Sequence, residues 1–244
     1  MLQHRLPGMT RTTTDVDGLV RAIIDEFLAV LDPMLRQPWG PLTFRRGAVE
    51  VIDVPGKIIK PRRFDMAVAL NGVTWRKVQV EVSPDEGQAG QSDEQIDAPS
   101  LAGFGLPTPD YLVTLALRYQ IAQKVHAATD PHEPPDFVND RARDVVDLLL
   151  LRDLTRLTGE PGLVGIREAI VDIFDARAAE AIATGRTPRY WPARLIAYPH
   201  WQTSCQKAAA SAGVTLTPEE AVATLNAWLD EIDQAGSWAV GSTC

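Results

Sequence analysis

The spacing of apolar and polar positions changes twice along the chain. Residues 12–17 are rich in Thr and Val and read as a short extended segment, closed by Asp17-Gly18. Over 18–36, Leu19, Ile23, Phe27 and Val30 recur on one helical face, and Asp32-Pro33 weakens the end of that pattern. Pro38, Gly40 and Pro41 mark a loop. Between 43 and 82 the period moves towards two. Val49, Val51 and Val54 predict one strand and residues 64–70 a second. Asn71-Gly72 then predicts a hairpin turn, because both residue types tolerate positive φ. The return strand closes on Lys77-Val-Gln-Val-Glu-Val82. Its alternation puts Val78, Val80 and Val82 on one face and Lys77, Gln79 and Glu81 on the other.

Residues 83–109 are polar and rich in Gly, Pro, Asp and Ser, which predicts a long loop. From 110 the pattern is helical. A first helix is expected over 111–128, with Ile121, Lys124, Val125 and Ala128 at helical spacing, and Asp130-Pro-His-Glu-Pro-Pro-Asp136 ends it. Further helices are expected over about 140–157 and 164–184. Pro188, Trp191, Pro192, Pro199 and Trp201 form an aromatic, Pro-rich connector. Thr217-Pro-Glu-Glu220 is a capping box that opens a last amphipathic helix carrying Ala221, Leu225, Trp228 and Ile232, and the tail from Gly236 is expected to fray. There is no internal repeat.

Composition adds bounds. A chain of 244 residues buries about 70% of its unfolded surface and needs no disulfide or metal for stability. Two cysteines, Cys205 and Cys244, make no disulfide framework, and neither has a nearby histidine in sequence. The apolar runs fall well short of the ~20 residues of a membrane helix, and the first residues lack the apolar core of a signal peptide. The expectation is a cytoplasmic protein that engages no membrane. A net charge of −8 argues against non-specific nucleic-acid binding. The charge is uneven, however. Lys57, Lys60, Arg62, Arg63, Arg76 and Lys77 cluster, as do Asp85, Glu86, Asp93, Glu94 and Asp97. Such clusters are read either as solvated surface or, for the basic one, as a phosphate-facing patch.

Asp15 and Asp17 project from one face of an extended segment. Paired carboxylates are costly unless a divalent cation neutralises them, and Mg²⁺ suits one or two carboxylates plus substrate phosphates. Glu81, late on a strand and on its polar face, is the natural third carboxylate, with Asp65 on the partner strand as its rival. Lys124 alone reads as a surface lysine. In Arg141-Ala-Arg-Asp144-Val-Val-Asp147, Asp144 and Asp147 share a helical face, with Arg141 and Arg143 each about one turn earlier. His126 and His132 lie near Asp130 and Glu133 but at no standard metal-ligand spacing. No P-loop or dinucleotide fingerprint is present.

Taken in order, Arg11-x-Thr13-x-Asp15-x-Asp17, Gln123-Lys124-Val-His-Ala127 and Arg141-Ala-Arg-Asp144-Val-Val-Asp147-Leu148 resemble the AbiEii family of nucleotidyltransferase toxins, which includes the MenT-type enzymes. The resemblance covers roughly residues 10–150. It implies an α+β fold: a DNA polymerase β-like nucleotidyltransferase core, a small mixed sheet with flanking helices, over 1–105, then a helical C-terminal domain over 106–244. It implies Mg²⁺ and an NTP substrate, transfer to an acceptor hydroxyl such as the 3′ end of tRNA, and a cognate antitoxin in a type IV pair. Carried over by residue, Asp15, Asp17 and Glu81 are the expected metal ligands. Lys124 is the phosphate contact and Asp144 the functional acid. Thr13, Arg141, Arg143 and Asp147 support the nucleotide. The resemblance also puts a strand and a Gly-Ser or Gly-Gly turn before the Asp15-x-Asp17 strand. The residues before Arg11 carry only Gly8, so the core is expected to lack its first strand and that turn. The alternative expectation is a degenerate nucleotidyltransferase fold that binds a partner or nucleotide without turnover.

Overall fold

The computed structural model describes residues 5, 15–21 and 23–236. Arg11 and Thr13, the start of the first expected strand, Gly8, and the tail with Cys244 lie outside the described residues. The chain divides into two compact units. One is a sheet unit that ends at Leu115 and includes Ala179–Thr187. The other is a helical unit built from Ala116–Ala178 and the chain from Pro188.

The sheet unit contains β1 (Asp15–Val20), α1 (Ile24–Leu35), β2 (Leu42–Arg46), β3 (Glu50–Val51), β4 (Arg62–Leu70) and β5 (Val73–Pro84), followed by β6 (Asp93–Asp97) and β7 (Tyr111–Leu115). The main sheet runs β1-β5-β4-β2, with the short β3 also on β4. β1 is parallel to β5, and the other pairings are antiparallel. One face is apolar. Val20, Phe64 and Val82 are buried there against Ile24 and Leu28 of α1, with Phe27, Leu31, Met66 and Val80 packed around them. Period two along β4 and β5 meets period 3.6 along α1, and that match creates the core. Pro33 sits inside α1, and the helix stops two residues later. Asn71 (φ 51°) and Gly72 (φ 82°) make the expected β4–β5 turn.

Several expectations change. The first strand is not closed at Asp17-Gly18: β1 runs on to Val20, and the helix expected over 18–36 opens only at Ile24. The segment 83–109 is not one loop: β5 reaches Pro84, and β6 pairs antiparallel with β7 in a separate two-stranded ribbon. Residues 111–115 are therefore strand rather than helix, and the helix opens only at Leu117. The β-branched and aromatic run Tyr-Leu-Val-Thr-Leu carries the strand preference, while its partner Asp93-Glu-Gln-Ile-Asp97 is too polar to announce one. A further strand, β2, forms where only a drift in period was visible, and β3 is two residues long.

The helical unit contains α2 (Leu117–Ala128), α3 (Ala142–Thr158), α4 (Leu163–Ala183, whose last residues belong to the sheet unit), α5 (Gln202–Ala212) and α6 (Pro218–Ala235). α3 is central and packs on α2, α5 and α6. Its run Leu148, Leu149, Leu150 and Leu151 is buried throughout, which is why the helix shows little amphipathic contrast. Around it lie Ile121, Ile170, Phe174, Trp201, Leu225 and Trp228. α5 was hidden behind the Pro-rich connector. The capping box of α6 forms as expected: Glu220 N–H donates to Thr217 Oγ1 at 3.2 Å and Thr217 N–H to Glu220 Oε2 at 2.9 Å. Among the described residues no helix is long and apolar enough to cross a membrane.

Two stability predictions follow from these contacts. Phe64→Ala removes the largest buried side chain between sheet and α1 and is expected to lower the urea-unfolding free energy by about 3–5 kcal/mol. Thr217→Ala is expected to lower it by about 1 kcal/mol through loss of the cap, and a null effect in that measurement contradicts the capping role.

Candidate functional site

In the sheet unit, register decides which polar side chains meet. β1 pairs with β5 so that Asp15 lies opposite Gln79 and Asp17 opposite Glu81. Neighbouring strands are about 4.8 Å apart, so these four side chains share one patch on the face away from α1. β4 continues the rows, with Asp65 opposite Gln79 and Arg63 opposite Glu81. Asp15, Asp17 and Asp65 are exposed. Glu81 is not an idle carboxylate. Its Oε1 accepts from Arg63 Nε at 2.8 Å, Arg63 Nη2 at 2.5 Å and Gln79 Nε2 at 3.0 Å. Among the described residues no three His, Cys, Asp or Glu side chains are gathered closely enough to enclose a metal ion. The donor set is nonetheless all hard oxygen. It suits an Mg²⁺ held through one or two carboxylates, with its remaining ligands from phosphate and water. Asp15 fits that role more readily than Glu81, whose charge Arg63 already balances.

In the helical unit, α2 and α3 bring the other expected residues together. Lys124 Nζ donates to Asp144 Oδ1 at 2.6 Å and to Asp147 Oδ2 at 2.8 Å. The Lys124 side chain is 25% exposed and that of Asp147 only 5%, so this is not a solvated surface lysine. Burial pushes the ammonium pKa down, but the two carboxylates outweigh burial and hold it above the ordinary lysine value. An ammonium has three N–H donors. Two are committed to the carboxylates, which leaves one. Arg141 is the N-cap residue of α3 and its Nη1 lies 3.7 Å from Asp144 Oδ2. Arg143 is exposed, and Asp147 turns to Lys124 instead of to it.

Asn139 stands out only in the structure. This fully buried residue ties the end of α2 to the start of α3. Its Nδ2 donates to Ala128 O at 3.3 Å and Asp130 O at 2.6 Å, and its Oδ1 accepts from Arg141 N–H at 3.1 Å. Its carbonyl accepts from Trp201 Nε1 at 2.7 Å and His200 Nε2 at 2.8 Å. Asn139 thereby fixes the two helices whose side chains form the Lys124 cluster. No local motif marks it, because all of these partners except Arg141 lie seven or more residues away. The neighbouring histidines are also committed. His132 Nδ1 accepts from Asn139 N–H at 3.2 Å, and His126 Nδ1 lies 2.9 Å from Arg177 Nη1.

The basic stretch is not a uniform cationic surface. Lys57 pairs with Glu86 and Glu180, each at 2.8 Å, and Lys60 with Asp53 at 2.9 Å. Arg62 donates to Lys60 O at 2.6 Å, and Arg63 holds Glu81. Arg76 and Lys77 stay exposed. Cys205 is buried, and burial, helped by Glu219, pushes its thiol pKa up, which suits an inert core thiol.

A family model described as "Nucleotidyl transferase AbiEii toxin, Type IV TA system" matches residues 2–230. No curated protein matches the chain significantly.

Lys124→Met removes the ammonium that two carboxylates of low exposure share and is expected to cost about 3–5 kcal/mol in chemical denaturation. Because folding raises the Lys124 pKa, the cluster's contribution is fully present below the unfolded lysine value, about 10.4. It is lost as pH climbs through the higher folded value. The stability gap between wild type and Lys124→Met should therefore hold steady from neutral pH to about 10 and close above it; a gap that closes near neutrality contradicts the pairing.

Proposed function

The chain belongs to the AbiEii nucleotidyl transferase toxin family, and on that premise we propose that it transfers a nucleotide from an NTP to an acceptor hydroxyl at the 3′ end of tRNA. The family implies a nucleotide substrate and a cognate antitoxin. The observation that carries the reading to residues is the Lys124 cluster. Separated motifs, on α2 and α3, fold into one charged, directed ammonium. The sheet unit supports it independently, because Asp15 and Asp17 share a face with Glu81. A small mixed sheet is also what a polymerase β-like core requires.

In this reading, Asp15 and Asp17, with Glu81 beside them, hold Mg²⁺, which when bound neutralises the triphosphate and favours the attacking oxygen. Lys124 is assigned to a phosphate oxygen by family resemblance, with one N–H beyond its two carboxylate bonds. Asp144 and Asp147 keep that ammonium charged and fixed, so no reorganisation is needed when charge develops on the phosphate. Arg141 and Arg143 add cationic reach at the start of α3. Thr13 is assigned to the nucleotide by resemblance alone and lies outside the described residues. The acceptor hydroxyl forms its bond to the α-phosphorus, the bond to the bridging oxygen breaks, pyrophosphate leaves and the hydroxyl proton is released. Positioning and charge neutralisation supply the acceleration.

The Arg63–Glu81 pair favours a second reading, nucleotide binding without turnover, since it draws a carboxylate away from the metal set. Incubation with each labelled NTP, Mg²⁺ and total tRNA separates the two. Wild type is expected to label tRNA with at least one NTP, and Asp17→Asn or Lys124→Ala to reduce labelling by at least about 10²-fold. Absence of labelling with every NTP, alongside measurable NTP binding, selects the second reading.

A further inference from the structure

The carboxylate patch occupies only one end of the sheet face opposite α1. Moving along the strands, the first row across the sheet is Glu50, Arg63, Glu81 and Asp17, and the second is Asp65, Gln79 and Asp15. The third row is Arg45, Ala67 and Lys77. The fourth is Thr43, Ala69 and Thr74. Rows are two residues apart, about 6.7 Å. On the central strand, Ala67 and Ala69 make a low floor. Arg45 and Thr43 rise on one side of it, Lys77 and Thr74 on the other, two strand spacings apart. The result is a trough with a cation on each wall, one row from the carboxylates.

The cations of that trough are uncommitted. Arg63, the other cation of this face, is held by Glu81. Arg45 and Lys77 are exposed and engage no acid among the described residues. A bulge sits beside them: Val68 pairs with Arg76 and Ala69 with Thr74, so Trp75 is the extra residue of β5. Its side chain is 63% exposed. An exposed indole beside paired cations is the combination that binds single-stranded nucleic acid, with phosphates on the cations and a base on the ring. A protein acid would use the cations but not the indole.

We propose that Arg45 and Lys77 grip the phosphodiester backbone of the acceptor's single-stranded 3′ end, and that Trp75 stacks on one of its bases. This rests on the nucleotidyl-transfer reading. The carboxylate rows repel the strand on one side and so confine its phosphates to the third row. That leaves the terminal hydroxyl about one row from Asp15 and Asp17. The local pair of cations lets a chain of net charge −8 accept a polyanion at this place.

The test is fluorescence anisotropy with a short labelled single-stranded RNA, without Mg²⁺ or NTP, over a salt series. Arg45→Ala/Lys77→Ala is expected to weaken binding and to reduce the slope of log Kd against log salt by about 1.4, or 0.7 for each lost phosphate contact. Trp75→Ala should raise Kd about ten-fold with the slope unchanged. Lys207→Ala, an exposed cation on α5, serves as the control and should change neither. Thermal unfolding confirms that each variant is folded. An unchanged slope in the double variant, an equal change in Lys207→Ala, or a loss of NTP affinity with RNA affinity intact overturns the inference. The outcome is independent of turnover: absence of transfer by wild type removes the functional reading, whereas an unchanged slope removes only this one.

Discussion

The parallel register of β1 on β5 is the constraint on which the sheet unit depends. Side chains alternate with period two, so a slip of one residue would turn Asp15 and Asp17 towards the core side and Val20 out of the core. Val20 and Val82 prevent the slip, since both are buried against α1. The same burial that holds the register sends the carboxylates to the opposite face. A parallel pair also cannot be closed by a hairpin, and in this chain α1, β2, β3 and β4 all lie between β1 and β5. Core and chemistry are thus two sides of one sheet. Neither can be altered without the other.

The helical unit solves a different problem. Lys124 and its acids carry charge into a region of low exposure, where an unpaired member would be severely penalised. The arrangement is tolerated because one ammonium faces two carboxylates and because Asn139 and Arg189 satisfy the main chain at the end of α2. Arg189 donates to Thr129 O at 2.8 Å and also to Asp130. The cluster is therefore held by the surrounding hydrogen bonds as much as by its own attraction.

Much of this was legible in the sequence, for identifiable reasons. The β4–β5 hairpin showed because Asn71-Gly72 supplies both positive φ values and Val78, Val80 and Val82 alternate without interruption. α6 showed because its capping box is local. The Lys124 cluster was visible only as ordered motifs, since no spacing rule predicts that Lys124 meets residues 20 and 23 positions away. β6 was hidden because its residues are mostly acidic and polar, and β7 because its start merges with a helical pattern. Asn139 was hidden for the strongest reason. Its importance lies in hydrogen bonds to partners scattered from Ala128 to Trp201, and a single asparagine in a loop carries no sign of them.

Asn139 has one more consequence, concerning chemical ageing. An amide both donates and accepts, and both roles are in use here: Nδ2 faces two carbonyls and Oδ1 faces an N–H. Hydrolysis of that amide to an aspartate carboxylate would preserve the shape while reversing half of the polarity. Two carbonyl oxygens would then confront a negative oxygen at the point where α2 and α3 are joined. The residue's complete burial shields it from water, so the fold that relies on this amide also slows its decay.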